Sequence, residues 1–236
     1  MEKTTPTTIS QSIPSELNRF MSKVYGWMSL GILMSGLIAW QVSQSPDLLA
    51  TIFQSSAILW TIIGLQFGSV IFLTAAIHRI SAGVAGVSFF IFAALMGLTS
   101  SVIFAMYTGA SILSVFLITG IAFAGLSITG LVTKKDLSPL GAFCTMALFG
   151  IVGVIALGWF FPLFSEAANS TVFNVLGVLV FAGLTAYDTQ KIKGLYQTGS
   201  DGSEYGKKAA IIGALSLYLD FINLFMRLLR LFGRRR

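Results

Sequence analysis

The chain has 236 residues, of which 55% are hydrophobic and only 10% are charged. A soluble domain carries roughly 25% charged residues, so this composition excludes a water-facing globular surface and predicts an integral membrane protein. The formal net charge is +6. The basic residues do not alternate with aromatic residues as they do in nucleic-acid-binding surfaces, and we expect no nucleic-acid partner.

The sequence contains no recognisable catalytic machinery. A single cysteine and a single histidine provide neither a zinc cluster nor an intrachain disulfide. No glycine-rich phosphate loop, nucleophile elbow or nucleophile–base set is visible. We therefore expect a protein that is not an enzyme and needs no cofactor.

A membrane-spanning helix needs about 20 mostly apolar residues, and seven stretches meet this condition. They cover residues 24–43, 57–77, 82–106, 110–132, 139–161, 171–190 and 209–231. The sequence predicts an all-α membrane domain over residues 21–233 and a basic C-terminal tail over 234–236. Two longer connections are expected: a turn at Pro46-Asp47 within 43–56, and a polar loop over 191–208.

Residues 1–20 are polar and lack a charged region that leads into a cleavable hydrophobic segment, so we interpret them as a cytosolic tail of the mature protein. Loop charge supports this orientation, because basic loops alternate with loops that are acidic or neutral. The basic flanks and loops contain Arg19, Lys23, Arg79, Lys134, Lys135, Lys191 and Lys193, whereas the alternate loops contain only Asp47 and Glu166 or no charge.

The seventh stretch breaks this alternation, since a seventh crossing places the basic tail outside the cell. One alternative is a re-entrant last helix that returns the tail to the cytosol. The other is a spanning helix whose arginines meet the outer acids Asp47 and Glu166. The length of the stretch favours spanning.

The last apolar stretch carries Asp220 near its middle. A charged carboxylate in hydrocarbon costs at least ~2.5 kcal/mol, so such a residue faces protein or water and marks a candidate path for ions or protons. Spacings of three and four residues place five polar side chains on one face of this helix. This polar seam consists of Ser216, Asp220, Asn223, Arg227 and Arg230.

Asp188 is the other acid within a predicted span. If it meets Asp220, the two carboxylates resist double ionisation and share one proton. The ionised pair would favour a cation such as calcium, which takes oxygen ligands, and Ser216, Asn223 and Tyr187 could add oxygens. The structural alternative is that Asp188 caps a helix end and that Asp220 pairs with an arginine. Arg79 is either a counter-ion for Asp188 or an ordinary residue of a basic loop.

Five segments, in order along nearly the whole chain, resemble the transmembrane Bax inhibitor motif family, in particular its bacterial branch. They are residues 24–28 (Val-Tyr-Gly-Trp-Met), 80–84 (Ile-Ser-Ala-Gly-Val), 134–138 (Lys-Lys-Asp-Leu-Ser), 183–190 (Gly-Leu-Thr-Ala-Tyr-Asp-Thr-Gln) and 214–233. The last two are the most specific.

The resemblance implies a seven-transmembrane-helix bundle whose last helix is central, located in the bacterial inner membrane. It implies a calcium leak whose pH sensitivity comes from an aspartate pair on helices six and seven, at the positions that Asp188 and Asp220 match. It also implies a latching arginine near the end of helix two, for which Arg79 is the candidate. Some members pair an acid of helix two with the arginine matching Arg230, whereas this chain has Gln66 nearby, so an outer gate of that kind would be weaker or absent.

The expected function is a pH-sensitive calcium leak channel in which calcium ions and protons meet the aspartate pair. The alternative is a regulator that binds membrane partners, such as a membrane-embedded ATP-dependent protease, or that suppresses stress or cell death. A proton-coupled transporter is a third reading, and it would require a substrate cavity.

Overall fold

The computed structural model describes residues 6–196 and 202–236, with side chains described from residue 15 onward. The described residues form nine α-helices and no β-strand. The helices are α1 (Pro6–Ser43), α2 (Pro46–Gln54), α3 (Ser56–Ala76), α4 (Ala82–Met106), α5 (Gly109–Val132), α6 (Ser138–Leu157), α7 (Pro162–Asn169), α8 (Thr171–Leu195) and α9 (Glu204–Phe232). The prediction of an all-α protein is confirmed.

Six of the described helices are long and apolar enough to cross a membrane: α3, α4, α5, α6, α8 and α9. They correspond to the last six predicted spans. The first predicted span, residues 24–43, lies within α1 but is diluted by glycine, serine and tryptophan residues and does not reach the same apolar character. A seventh crossing therefore stays a prediction.

The structure corrects two predicted connections. The expected turn at Pro46-Asp47 is the start of helix α2, because proline suits the first turn of a helix and an acid there complements the helix dipole. The expected loop over 191–208 is shortened at both ends by α8 and α9. Ile192 is only 2% exposed, and its apolar side chain packs against Gly213; this burial extends both helices beyond the predicted boundaries. Residues 197–201 of this loop lie outside the described residues.

The predicted tail 1–20 also belongs largely to a helix. Residues 1–5 lie outside the described part of the chain, and α1 then runs without a break from Pro6 through the expected boundary at residue 20. The division between a tail and a membrane domain stays a prediction.

The chain divides into two compact units, each built from segments that are distant in sequence. The first consists of Met1–Val102 and Ile192–Leu215, and the second of Ile103–Lys191 and Ser216–Arg236. In the first unit, Val42, Ile52 and Ile62 form an apolar cluster that joins α1, α2 and α3. In the second unit, Phe221 of α9 packs edge-on against Phe116 and Phe123 of α5, with ring centroids 5.5 Å apart in both pairs.

The C-terminal residues of the second unit are fixed against the turn between α4 and α5. The backbone of Arg235 forms an antiparallel bridge with Tyr107. The Thr108 N–H donates to the Arg234 carbonyl at 3.1 Å, and the Arg236 N–H donates to the Met106 carbonyl at 2.9 Å. Because α5 runs from this turn to Val132, the tail and the Lys134–Lys135 loop lie at opposite ends of α5.

The last helix is continuous from Glu204 to Phe232, which is 29 residues or about 44 Å at 1.5 Å per residue. A re-entrant helix would return its end toward its own start, whereas α9 ends at the turn between α4 and α5. A continuous helix of this length favours the spanning alternative, which stays a prediction.

Candidate functional site

Asp220 is buried in the second unit. Its residue is 5% exposed, and its Oδ2 atom has no hydrogen-bond partner among the described residues. A buried polar oxygen without a partner costs about 1–3 kcal/mol, and more when the group is charged. Such atoms are rare in folded proteins, which makes Asp220 a candidate functional residue.

Asp188 lies on α8 and is partly buried. Asp188 and Asp220 are electrostatic neighbours, and Lys191 is a cation of α8 that acts on Asp188. Both acids belong to the second unit, and their pairing stays a prediction. Spacing along the sequence cannot establish their proximity, because it depends on how α8 and α9 pack.

Close packing of α8 against α5 and α6 positions Asp188. A Cβ added to Gly130 of α5 would collide with the backbone carbonyl of Ala186 and lie 3.0 Å from Cβ of Thr189. The Thr189 hydroxyl donates to Ser127 Oγ of α5 at 3.3 Å. On the other side, the Tyr187 ring packs directly on Gly141 of α6. These contacts hold the turn of α8 that carries Asp188 against α5 and α6.

Gln190 has a structural role that the sequence did not indicate. Its Oε1 accepts the Leu137 N–H and its Nε2 donates to the Lys135 carbonyl, both at 2.9 Å. In the same loop, hydrogen bonds from the side chain and backbone of Ser138 hold the pKa of Asp136 below its ordinary value. Gln190 thus ties the C-terminal part of α8 to the loop between α5 and α6, two residues from Asp188.

Arg227 does not pair with Asp220. It follows Asp220 by seven residues, about 10 Å along the helix. The buried Arg227 side chain donates from Nη1 to Asn174 Oδ1 at 3.3 Å and lies 4.9 Å from the centre of the Phe173 ring. The structural alternative in which an arginine neutralises Asp220 is therefore not found among the described residues. Asn174 was missed in the sequence, where the only signal was an amide inside an apolar stretch.

The other members of the polar seam differ in exposure. Ser216 and Asn223 are half-buried and Arg230 is exposed. The Asn223 amide donates to the Leu219 carbonyl of its own helix at 2.8 Å. Asp220 and Arg227 are thus the two seam residues that the fold removes from solvent, as expected for a face turned toward protein.

Arg79 belongs to the first unit, in the turn after α3, and is exposed. Its side chain has no hydrogen bond or ion pair with any described residue, and its proposed action on Asp188 stays a prediction. Gln66 donates to Thr99 Oγ1 at 2.9 Å within the same unit. In the described parts of the chain, neither Asp47 nor Glu166 forms the expected ion pair with an arginine.

No group of three or more histidine, cysteine, aspartate or glutamate side chains could hold a metal ion within 6–196 and 202–236. Asp188 and Asp220 thus offer two carboxylates to a cation, whereas a resident calcium takes six to eight oxygen ligands.

The chain is similar to known proteins over nearly its whole length. A family model described as "Inhibitor of apoptosis-promoting Bax1" matches residues 17–236. The inner membrane protein YbhL of Escherichia coli (strain K12) is 45% identical over 221 residues, which cover 93% of each chain. A protein of Borreliella burgdorferi is 40% identical over 219 residues, again covering 93% of each chain. A protein of Deinococcus radiodurans is 36% identical over 225 residues, covering 95% of this chain and 94% of its own.

Proposed function

This integral membrane protein belongs to the Bax1-inhibitor family, and from that premise we propose that it is a pH-sensitive calcium leak channel gated by Asp188 and Asp220. The observation that carries the proposal is the placement of these two carboxylates. They interact electrostatically, Asp220 is buried, and one Asp220 oxygen has no hydrogen bond among the described residues.

The proposed mechanism follows from the charge of the pair. With one shared proton, the carboxylates can hold each other and keep α8 against α9. When that proton leaves, two negative charges in a medium of low dielectric constant repel each other and attract a cation. Calcium would be the transported ion, coordinated in passing by carboxylate oxygens and by water. Half-buried Ser216, Asn223 and Tyr187 supply nearby polar groups.

We further propose the family's seven-helix arrangement, in which residues 24–43 of α1 cross the membrane and α9 is central. The burial of α9 supports this arrangement: 61% of its most apolar segment is buried, against 11–39% in the other five apolar helices. Arg79 is the proposed latch on the closed pair.

The proposed location is the bacterial inner membrane with the N-terminus in the cytosol. The inner-membrane protein of Escherichia coli that resembles this chain supports the location, and the alternation of basic loops supports the orientation.

The proposal is tested by calcium entry into liposomes that contain the purified protein and an internal calcium dye, between pH 6 and pH 8. We expect a flux that varies with pH in the wild type and loses this variation in Asp188→Asn and in Asp220→Asn. Asp47→Asn is the matched control, because it makes the same change at an exposed residue of α2 and should retain the wild-type profile.

A folded wild-type protein that gives no more flux than empty liposomes would overturn the channel proposal. That result would favour the alternative function, a regulator that acts through membrane partners such as a protease. Deletion of residues 1–20 followed by partner capture would test that function directly.

A further inference from the structure

The end of the second unit that holds the C-terminal tail is rich in unpaired arginine residues. They are Arg230, Arg234, Arg235 and Arg236. None of these side chains forms an ion pair or side-chain hydrogen bond with another residue of the described ranges. Glu166 of α7 is exposed, and it also forms no ion pair with a described residue. This cluster therefore has an excess of positive charge that the described protein does not neutralise.

A cavity of about 160 Å³ opens at this end of the unit. A cavity of this size has room for several water molecules or for a phosphate group. Its polar lining is formed by Tyr107, Asn169, Asn174, Arg230 and Arg235. The charged part of this lining is entirely cationic.

The fold fixes two of these groups in place before any ligand binds. The backbone bridge to Tyr107 fixes the main chain from which the Arg235 side chain extends. Asn174 is 3% exposed, and its amide nitrogen donates to the Ser170 carbonyl at 2.9 Å. The Asn174 side-chain oxygen accepts a hydrogen bond from the buried Arg227 side chain. This bond directs the partial negative charge of the oxygen toward Arg227, so it repels an anion in the cavity less. Such preorganisation lowers the entropy lost on binding.

We propose that this cavity is a binding site for a phosphate-group anion, supplied either by the headgroup of an anionic phospholipid or by a soluble phosphate. The planar guanidinium groups of Arg230 and Arg235 match the geometry of phosphate oxygens and can bind them in a bidentate manner. The site is separate from the aspartate pair. It goes beyond the proposed channel function and does not depend on calcium flux.

The test measures binding to the purified full-length protein in a zwitterionic detergent, by thermal shift and native mass spectrometry. The first arm compares dioctanoyl phosphatidylglycerol with dioctanoyl phosphatidylcholine. The second arm compares inorganic phosphate with chloride at equal ionic strength. We expect Arg230→Gln and Arg235→Gln each to weaken binding of the preferred anion about tenfold, since each removes a charge-assisted hydrogen bond.

Lys134→Gln is the matched control, because it removes the same charge from an exposed position at the opposite end of α5. It should leave the affinity unchanged. Arg230→Lys retains the positive charge but not the planar guanidinium group, and it should weaken binding less than Arg230→Gln. This conservative variant separates a loss of binding from a loss of folding.

Binding of the anionic lipid alone identifies the headgroup as the source, whereas arginine-dependent binding of inorganic phosphate identifies a soluble phosphate. Absence of preference in both arms, or an equal loss in Lys134→Gln, would overturn the proposal.

Discussion

At the scale of single residues, the buried side chains of Arg227 and Asp220 on α9 differ in how the surrounding protein compensates their charge. Arg227 has a neutral acceptor in Asn174 and an aromatic face in Phe173, so its charge is partly compensated without an acid. Asp220 has one oxygen without a hydrogen bond in the described structure, and its electrostatic neighbour is another acid. Arg227 thus acts as a structural residue, whereas Asp220 is the residue on which the proposed gating depends.

The role of Asn174 can be tested by Asn174→Ala. Asn174 is the only described hydrogen-bond acceptor of the buried Arg227 side chain, and hydrogen bonds to charged groups contribute about 1.5–3 kcal/mol. We expect the free energy of unfolding to fall by about that amount, measured by denaturant titration in phosphate-free detergent. Asn169→Ala is the control: this exposed side chain bonds only to the Ser165 carbonyl of its own helix, and its loss should change the free energy by under about 0.5 kcal/mol. Equal effects of the two substitutions would contradict the assigned role.

At the scale of helices, the position of Asp188 depends on small residues that let α8 approach its neighbours. Gly130 lets α5 come close to the Ala186 carbonyl, and Gly141 accommodates the Tyr187 ring. Helices in membranes associate through such close packing, because lipid gives them no hydrophobic drive to associate. The position of Asp188 is therefore a property of the interfaces between helices and not of α8 alone.

Gly130→Ala tests this dependence on packing. The added methyl group would meet backbone, which cannot rotate away, and overpacking of this kind costs about 1–3 kcal/mol. We expect a lower melting temperature for this variant in detergent. In Gly125→Ala, on the same helix, the added Cβ meets nothing within 4 Å, so stability should stay equal or rise by up to about 1 kcal/mol through helix propensity. A Gly130→Ala variant as stable as Gly125→Ala would show that α5 and α8 are not in close contact.

At the scale of the whole molecule, the topology follows from α9 and the tail. A continuous helix that ends beside the turn between α4 and α5 places the tail on the same membrane side as that turn. The Lys134–Lys135 loop lies at the other end of α5. In the orientation that we propose, the three tail arginines lie on the outer side, against the usual distribution of basic residues, and an anion bound at this end would offset that charge.

Labelling with a membrane-impermeant maleimide on intact cells can test the topology. We expect Arg236→Cys and Gly109→Cys to react from outside the cell, and Lys134→Cys to react only after the membrane is opened. The wild type is the background control, since its single cysteine, Cys144, is 3% exposed. Reaction of positions 236 and 134 from the same side would contradict the arrangement.

The sequence by itself determined that the protein is helical and membrane-embedded, because low charge content and apolar runs of sufficient length depend only on local composition. It also identified Asp188 and Asp220, because an acid in an apolar stretch is conspicuous in one dimension. Only the tertiary structure decided that Arg227 bonds to Asn174 and not to Asp220, and that the tail pairs with the turn at Tyr107. These contacts join residues far apart in the chain, and their geometry depends on helix packing that no local pattern contains.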